Sequence, residues 1–255
     1  MGKNPGLVSL TPLKVVFCAL AMNDLEIIYE DNHLIAINKP NGLLVHTDDT
    51  GDTSLEQMLK EYLKEKYKKP GNVFLQSCHR LDRPVSGALI FAKTSKGKER
   101  MSALFAARKV DKTYLALVSR FPDPDEGDLE TWILKDRVKN TVEVVKGEKS
   151  GAVKARTLYK TLGKVGNFFL VRLHPLTGKS HQLRVHMKFL GCPIAGDVKY
   201  GGPSIDDPSS ILLHCRKMEF IHPIQKVPVV LIADIPRQTL WNKGRRDITA
   251  LEASE

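Results

Sequence analysis

Two short apolar runs near the start of the chain are interrupted by turn-forming residues, in LEIIYEDNHLIAINKPNGLLVH (residues 25–46). The runs flank an Asp-Asn pair, and the second run ends in a Pro-Asn-Gly turn at residues 40–42. Apolar runs bounded by such residues are typical of strands joined by tight turns. The pattern predicts β-structure at the start of the folded body.

The spacing of apolar residues becomes helical after residue 53. Ser54 and Gln57 have capping-box spacing, and Pro70-Gly71 is expected to end the helix. Its apolar stripe consists of Leu55, Met58, Leu59, Tyr62 and Leu63. A second helix is predicted from Ser95 to about Arg108, and its inward residues are Met101, Leu104 and Phe105.

The stretch VDKTYLALV (residues 110–118) alternates as a strand. Side chains alternate between the two faces of a strand, so Lys112, Tyr114 and Ala116 share one face. Tyr114 therefore has a cationic neighbour. The alternative is an ordinary strand tyrosine that packs in the core.

The stretches GAVKARTLYKTL and GNFFLVRLHPLTG predict two strands joined by a glycine-rich turn at residues 163–166. The pattern then becomes helical in TGKSHQLRVHMKFLG, where Ser180 is expected to cap the helix and Gly191 to end it. Leu183, Met187 and Leu190 form the apolar face. Arg184 lies at the border of that face, where a guanidinium can reach a carboxylate, and the alternative is an exposed helix arginine.

The net charge of +10 on 255 residues indicates a polyanionic partner. Lysines and arginines cluster within residues 60–69, 93–100 and 108–112. Nucleic acid is therefore the first expectation, an anionic membrane surface the second, and a merely soluble basic protein the third.

Metal binding and disulfide bonding are not expected. The four cysteines, at positions 18, 78, 192 and 215, form no C-x-x-C pair and are expected to be reduced thiols. The histidines His174, His181 and His186 are expected to cap, pack or contact RNA, since no Asp, Glu or Cys joins them at zinc-ligand spacing.

The chain contains no internal repeat or low-complexity linker, so we expect one folded domain over residues 25–242. Residues 1–21 are fairly apolar and end in Ala-Leu-Ala, but Pro12 and Lys14 interrupt the apolar run. We expect a flexible extension over residues 1–24 rather than a signal peptide, with Met22 as an alternative start. Residues 243–255 are expected to be a polar tail that frays.

The stretch HRLDRPVSG (residues 79–87) places Asp82 between Arg80 and Arg83, just before the apolar run ALIFAKT. Nearby guanidinium groups favour the charged form of a carboxylate, so such an aspartate is suited to chemistry. The alternative is a salt-bridged aspartate that steadies a turn.

These segments together resemble the RluA-type pseudouridine synthase family, from about Leu25 to about Ile235. The resemblance is carried by NKPNGLLVH (38–46), HRLDRPVSGALIFAK (79–93), KTYLALV (112–118), TGKSHQLRVHM (177–187), GDVKYGG (196–202) and LLHCRKMEFIHP (212–223). It implies an α+β catalytic domain with a long mixed, mostly antiparallel sheet flanked by helices, and RNA bound across a basic cleft.

The resemblance also implies roles for single residues. Asp82 matches the catalytic aspartate, and Arg184 matches the arginine that pairs with it as a bidentate partner. Tyr114 matches the tyrosine that stacks on uracil and to which removal of the C5 proton is also attributed. Arg80 matches the residue that enters the RNA stack when the target nucleotide leaves it. Five further residues are expected to contact RNA: His79, Arg83, Lys112, Lys179 and His181. No cofactor or metal is implied.

The expected substrate is a uridine in tRNA, and the protein is expected to be a cytoplasmic monomer. Many relatives carry a small RNA-binding domain before the catalytic one, and only about two dozen residues precede Leu25 here. Recognition is then expected to depend on the catalytic domain and to suit a compact stem-loop. Large-subunit ribosomal RNA is the alternative within the family, and a non-catalytic RNA-binding or RNA-chaperone protein is the alternative from another class.

Overall fold

The computed structural model describes residues 25–47, 51–237 and 239–254. Eleven strands lie in these ranges: β1 (Glu26–Glu30), β2 (Leu34–Lys39), β3 (Gln76–Ser77), β4 (Ser86–Ala92), β5 (Val110–Val118), β6 (Glu126–Asp136), β7 (Thr141–Val145), β8 (Val153–Val165), β9 (Phe168–Pro175), β10 (Leu213–Ile221) and β11 (Pro228–Ile232). The helices described are α1 (Leu55–Lys66), α2 (Ser95–Ala106), α3 (Gln182–Phe189), α4 (Thr239–Lys243) and α5 (Arg245–Ala253). The predicted extension, residues 1–24, lies outside the described residues.

All eleven strands form one mixed sheet. Its main path runs β1-β2-β4-β10-β5-β9-β8-β6-β7, with β11 beside β10 and β3 beside β4. The pair β4 and β10 is parallel, and the other described pairs are antiparallel. The fold class predicted from the sequence, α+β with a long, mostly antiparallel sheet, is confirmed.

The first two helices form where the local pattern predicted them. Both halves of the capping box between Ser54 and Gln57 are present at the start of α1. Helix α2 is capped by the Thr94 side chain, and Met101 is its fully buried residue. It ends two residues earlier than predicted because Arg108 adopts a positive φ of 57°.

The start of α3 differs from the prediction. The N-cap residue is His181 rather than Ser180, and it caps with left-handed backbone angles (φ 50°, ψ 16°) and no side-chain hydrogen bond. The predicted end is correct: Gly191 has φ 72°, its N–H donates to Lys188 O, and the next N–H, of Cys192, donates to Met187 O. This pair of bonds is the Schellman arrangement, which glycine favours.

The hairpin of β8 and β9 turns later than predicted. Gly163 lies inside β8, where the strand register shifts, and a Cβ there would come within 2.7 Å of Leu251. Gly166, with φ 57°, makes the turn. The first glycine therefore allows close packing, and the second supplies the turn.

The expectation of a fraying polar tail over residues 243–255 is wrong for the described part of that segment. Helix α5 packs on β8, and Ile248 is fully buried in the main core. The Arg245 guanidinium donates to Ile235 O at 2.7 Å, and Arg216 pairs with Glu252 at 3.0 Å. The segment is an amphipathic helix with one apolar face, and the prediction failed because it considered only the polar overall composition.

Candidate active site

A cleft of about 830 Å³ opens beside the middle of the sheet. Its walls come from the loop that precedes β4, the first half of β5, and the loop between β9 and α3. Eight of the nine residues predicted for the site line it: His79, Arg80, Asp82, Lys112, Tyr114, Lys179, His181 and Arg184. Arg83 is not among the residues that line the cleft.

A buried lysine, Lys39, fixes the loop that carries Asp82. Lys39 Nζ donates to the carbonyl oxygens of Pro40 (3.0 Å), Arg83 (3.0 Å) and Val85 (2.8 Å). Burial lowers the pKa of Lys39 to about 7, although the nearby carboxylate of Asp82 opposes this shift. Three carbonyl acceptors compensate the buried ammonium and fix the backbone on both sides of Pro84.

Glycine is required where this loop enters the sheet. Gly87 has φ 114°, and a Cβ there would lie 2.3 Å from Cys215 O on β10. Any other residue would force β4 away from β10. The approach of these two strands sets the position of the Asp82 loop.

Asp82 is partly exposed to the cleft, with 32% of its side-chain surface accessible, and is paired with Arg184. Arg184 Nη1 donates to Asp82 Oδ2 at 2.9 Å. His181 Nε2 lies 3.6 Å from the same oxygen. Both groups approach Oδ2, so these two neighbours leave Oδ1 to the cleft.

The bidentate partner of Arg184 is Asp197, which corrects the expectation that it would be Asp82. Arg184 Nε and Nη2 donate to the two oxygens of Asp197 at 2.8 and 2.7 Å. The Asp197 side chain is 1% exposed. Burial alone would lower the pKa of Arg184, but the ion pairs with Asp197 and Asp82 raise it above its usual value. The buried carboxylate thus fixes the guanidinium, and the remaining nitrogen holds Asp82.

Tyr114 lies on the central strand β5, opposite Cys215 of β10 and Leu173 of β9. Its side chain is buried and lines the cleft beside Lys112. Burial raises the pKa of Tyr114 well above 10, and the neighbouring Cys215 and Asp82 add to the shift. The phenol is therefore protonated at neutral pH and presents an uncharged aromatic ring.

Arg83 does not flank Asp82 in space, although it follows it in sequence. Its Nε donates to Gly42 O at 2.9 Å and its Nη2 to Asp52 at 2.8 Å. Arg83 and Pro84 form a turn closed by the bond from the Val85 N–H to Asp82 O at 3.0 Å, and from this turn the Arg83 side chain reaches Gly42 and Asp52 instead of the cleft. The prediction that Arg80 and Arg83 both flank the carboxylate is wrong for Arg83.

The remaining predicted residues divide into inward and exposed groups. His79 Nε2 accepts the Ile90 N–H at 3.1 Å, and its ring packs on Phe105 with centroids 4.8 Å apart. Burial and Lys112 lower the pKa of His79 to about 3, so the ring is neutral. Through its bond to Ile90 the neutral ring is fixed against β4. Burial also lowers the pKa of the half-buried Lys112. Arg80 and Lys179 are exposed at the cleft.

Sequence reasoning missed the structural roles of Lys39, Asp197 and Tyr200. Asp197 and Tyr200 lie in GDVKYGG, a motif that carried the resemblance without a role for either residue. The signal available in the sequence was an aspartate and a tyrosine between two glycines, Gly196 and Gly201. The structure gives these glycines positive φ angles of 85° and 86°.

The cleft is basic. Its charged lining comprises the cations Arg80, Arg108, Lys112, Arg156, Lys179 and Arg184, against the carboxylates Asp82 and Asp111. Within the described ranges, no group of three His, Cys, Asp or Glu residues is placed to hold a metal ion. The excess of cations suits a polyanionic ligand.

The chain is similar to proteins of one known family. Residues 33–189 match the RNA pseudouridylate synthase family, and the chain belongs to that family. tRNA pseudouridine synthase C of Vibrio vulnificus is 34% identical over 252 residues, which cover 90% of this chain and 99% of that protein. Ribosomal large subunit pseudouridine synthase C of Rickettsia bellii is 35% identical over 212 residues, covering 82% and 68%.

A solved structure agrees with this assignment. Human RNA pseudouridylate synthase domain containing 4 superposes with a TM-score of 0.71 at 28% identity, covering 86% of this chain and 93% of that one. The resemblance stated from the sequence motifs is therefore confirmed. The protein is a pseudouridine synthase, and its substrate is RNA.

Proposed function

We propose that this enzyme converts a uridine of tRNA to pseudouridine and that Asp82 carries the chemistry. The observation that supports this most directly is the partly exposed Asp82 carboxylate, which faces a basic cleft and is held by a buried arginine. The isomerisation breaks the bond between uracil N1 and ribose C1′ and forms a bond between C5 and C1′. C5 loses a proton and N1 gains one, so no redox partner is required.

The carboxylate of Asp82 serves either of two routes: attack on the ribose, or removal of a sugar proton. Both require a deprotonated oxygen directed at the sugar. Arg184 stabilises that charge in a place where water is partly excluded. The neutral ring of Tyr114 is suited to stack on uracil, and its high pKa favours stacking over a base role in the free enzyme.

The target nucleotide must leave its stack to reach Asp82. Arg80 is exposed at the rim of the cleft, where its planar guanidinium can replace the lost stacking. Lys179 and Lys112 are placed to contact phosphate, while His79 is engaged by the core and contributes to the wall of the cleft. Arg83 contributes indirectly, by fixing the loop at Gly42.

A tRNA substrate is favoured by the extent of the match. The alignment spans 99% of the tRNA enzyme of Vibrio vulnificus and 68% of the ribosomal enzyme of Rickettsia bellii. A stem-loop of tRNA offers a small preformed loop that one basic cleft can enclose. A monomer is proposed because eight of the nine predicted site residues line one cleft, which therefore needs no residue from a second copy. None of the described helices is long and apolar enough to cross a membrane.

A cytoplasmic site of action is part of the proposal. Cys78, Cys192 and Cys215 are free, buried thiols, which suits a reducing compartment.

The proposed role of Asp82 is tested with Asp82→Asn, which keeps the size of the side chain and removes its charge. We expect the single-turnover rate on tRNA to fall by at least about a hundredfold, the scale of losing an acid, base or nucleophile, with RNA affinity retained. Asp206→Asn, an exposed loop carboxylate outside the cleft, is the matched control. Substantial residual activity in Asp82→Asn would contradict the assignment.

The substrate is tested by mapping pseudouridines in total RNA from cells with and without the gene. The expected result is the loss of a tRNA site. Loss of a ribosomal site with every tRNA site intact overturns the tRNA proposal, and strong RNA binding by the purified protein without isomerisation of any uridine favours an RNA chaperone.

A further inference from the structure

His181 is held in a strained backbone conformation directly beside Asp82. Its φ of 50° is left-handed, which for a residue other than glycine costs on the order of 1–3 kcal/mol and is most often found at functional sites. In this conformation the two nitrogens of the imidazole face two different groups. Nδ1 lies 2.7 Å from the Tyr200 hydroxyl, and Nε2 lies 3.6 Å from Asp82 Oδ2.

The hydrogen bonds of Tyr200 determine which nitrogen of His181 carries the proton. The Tyr200 oxygen accepts the Val142 N–H at 2.8 Å, which leaves its own O–H free to donate to His181 Nδ1. Nε2 then carries the hydrogen and faces the carboxylate. The opposite tautomer would place the Nε2 lone pair against an anionic oxygen and would leave the Tyr200 hydroxyl proton to find another acceptor.

Tyr200 is itself fixed by its surroundings. It is buried, closes the 3₁₀ turn Val198–Tyr200, and its ring meets His181 edge to face with centroids 5.7 Å apart. The same turn follows Asp197, which holds Arg184. One short segment therefore anchors both groups that approach Asp82 Oδ2.

We propose that His181 is a positioning residue for Asp82, with Tyr200 fixing its tautomer so that the Nε2–H and Arg184 together hold Oδ2 and direct Oδ1 at the bound ribose. This inference rests on the proposed role of Asp82 and adds His181 and Tyr200 to it. It differs from the expectation that His181 contacts RNA. The charges that face the imidazole are Asp82, Arg184, Lys199 and Lys135.

The surroundings keep the ring neutral. Burial lowers the pKa of His181; the three nearby cations add to this effect, and Asp82 opposes it. A neutral imidazole, with Nε2 at 3.6 Å from Oδ2 in the free enzyme, can close to a hydrogen bond with Asp82 on substrate binding without neutralising it. The carboxylate therefore keeps the charge that its chemistry requires.

Two substitutions separate the two nitrogens. His181→Asn places an amide near the position of Nδ1, where it can meet Tyr200 but cannot reach Asp82, whereas His181→Gln extends an amide N–H to the position of Nε2. Asparagine also tolerates left-handed angles, so backbone strain disfavours Gln more than Asn. Backbone strain therefore lowers the stability of His181→Gln more than that of His181→Asn. It cannot account for a lower rate in the Asn variant.

The measurements are single-turnover rate and RNA affinity on a tRNA that the wild type modifies. We expect His181→Asn to lower the rate by about tenfold to a hundredfold, the range of a hydrogen bond to a charged group, with unchanged affinity. His181→Gln is expected to keep most of the rate. Tyr200→Phe is expected to lower the rate in the wild-type background and to have a smaller effect in His181→Gln, because the two residues act as one unit.

A ¹⁵N NMR spectrum of the imidazole supplies a readout independent of turnover. The expected pattern is a neutral ring protonated at Nε2, which changes in Tyr200→Phe. Protonation at Nδ1, a wild-type rate in His181→Asn, or equal losses in the Asn and Gln variants would overturn the proposal. A loss of RNA affinity at unchanged rate would overturn it in favour of direct RNA contact. An inactive wild type would instead refute the proposed function, while the NMR test of the tautomer stands.

Discussion

Some residues of the cleft are exposed to the space where RNA is proposed to bind, and others fix the positions of these exposed residues. Arg184 illustrates why arginine is required at its position. Its planar fork donates twice to Asp197 and once to Asp82. A lysine has one nitrogen on a flexible stem and cannot hold two carboxylates in fixed directions. In the proposed mechanism, Asp197 acts on the reaction through the orientation of Arg184.

Arg80 provides a test of nucleotide flipping at the scale of one side chain. We expect Arg80→Ala to reduce kcat/KM on folded tRNA by about tenfold or more, because unpairing and unstacking cost a few kcal/mol that Arg80 helps to offset. An unstructured oligonucleotide with the same uridine should be modified at nearly the wild-type rate. The measurement is the ratio of kcat/KM on the two substrates.

The matched control is Arg100→Ala, which removes an exposed arginine of α2 outside the cleft. Equal losses of Arg80→Ala on both substrates would indicate a general phosphate contact instead.

The sequence predicted which residues line the cleft better than it predicted which residues contact one another. The motif resemblance selected Asp82, Tyr114 and Arg184, which the structure places around one cleft. Reasoning from neighbours in the chain failed for Arg83, because the turn at Arg83 and Pro84 sends its side chain to Gly42 and Asp52. Lys39 and Asp197 were not predicted, because their partners lie 44 or 46 and 13 positions away in sequence.

At the scale of helices and strands, locally encoded features were predicted correctly. The capping box of α1 and the glycine at the end of α3 depend on residues within a few positions. The start of α3 was missed, because the left-handed angles of His181 are maintained by contacts with Tyr200 and Asp82. Tertiary structure overrode the preference of Ser180 for the cap.

Helix α5 gives a prediction at this scale. Ile248→Ala removes a fully buried side chain between α5 and the sheet and is expected to cost about 2–5 kcal/mol of unfolding free energy. Thr249→Ala, on the exposed face of the same helix, should change it by less than about 0.5 kcal/mol. Urea denaturation of both variants measures the difference.

Equal stability of the two α5 variants would restore the view of this segment as a fraying tail. Activity per folded molecule is expected to be unchanged in both variants, since α5 does not line the cleft.

At the scale of the whole molecule, the sheet topology assembles the site. The Asp82 loop precedes β4, Tyr114 lies on β5, and β10 separates these strands. The parallel pairing of β4 with β10 joins segments about 130 residues apart, such as Ser86 and His214. No local pattern encodes such a pairing, so the order of the strands was not predicted, and the family resemblance implied only a long mixed, mostly antiparallel sheet.

The buried histidines make the stability of the whole fold dependent on pH. Burial lowers the pKa of His186 and of His214 to about 4, and both rings are fully buried. In the unfolded chain these groups titrate near 6.5. Between pH 6.5 and 4 the unfolded state therefore binds more protons than the folded state, so the stability falls as the pH falls.

Each ring is expected to contribute a slope of up to about 1.4 kcal/mol per pH unit in that window, and the slope approaches zero above about pH 8. The test compares urea denaturation at several values between pH 7 and 4.5 for the wild type and for His214→Gln. His214 bonds to Ser86 and to Ala233 O, so the variant is expected to be less stable throughout. The informative quantity is the change of the unfolding free energy with pH. Its slope should be shallower in the variant by the contribution of one titrating group, up to about 1.4 kcal/mol per pH unit. Parallel slopes for the two proteins would show that His214 does not enter the folded state as a neutral ring.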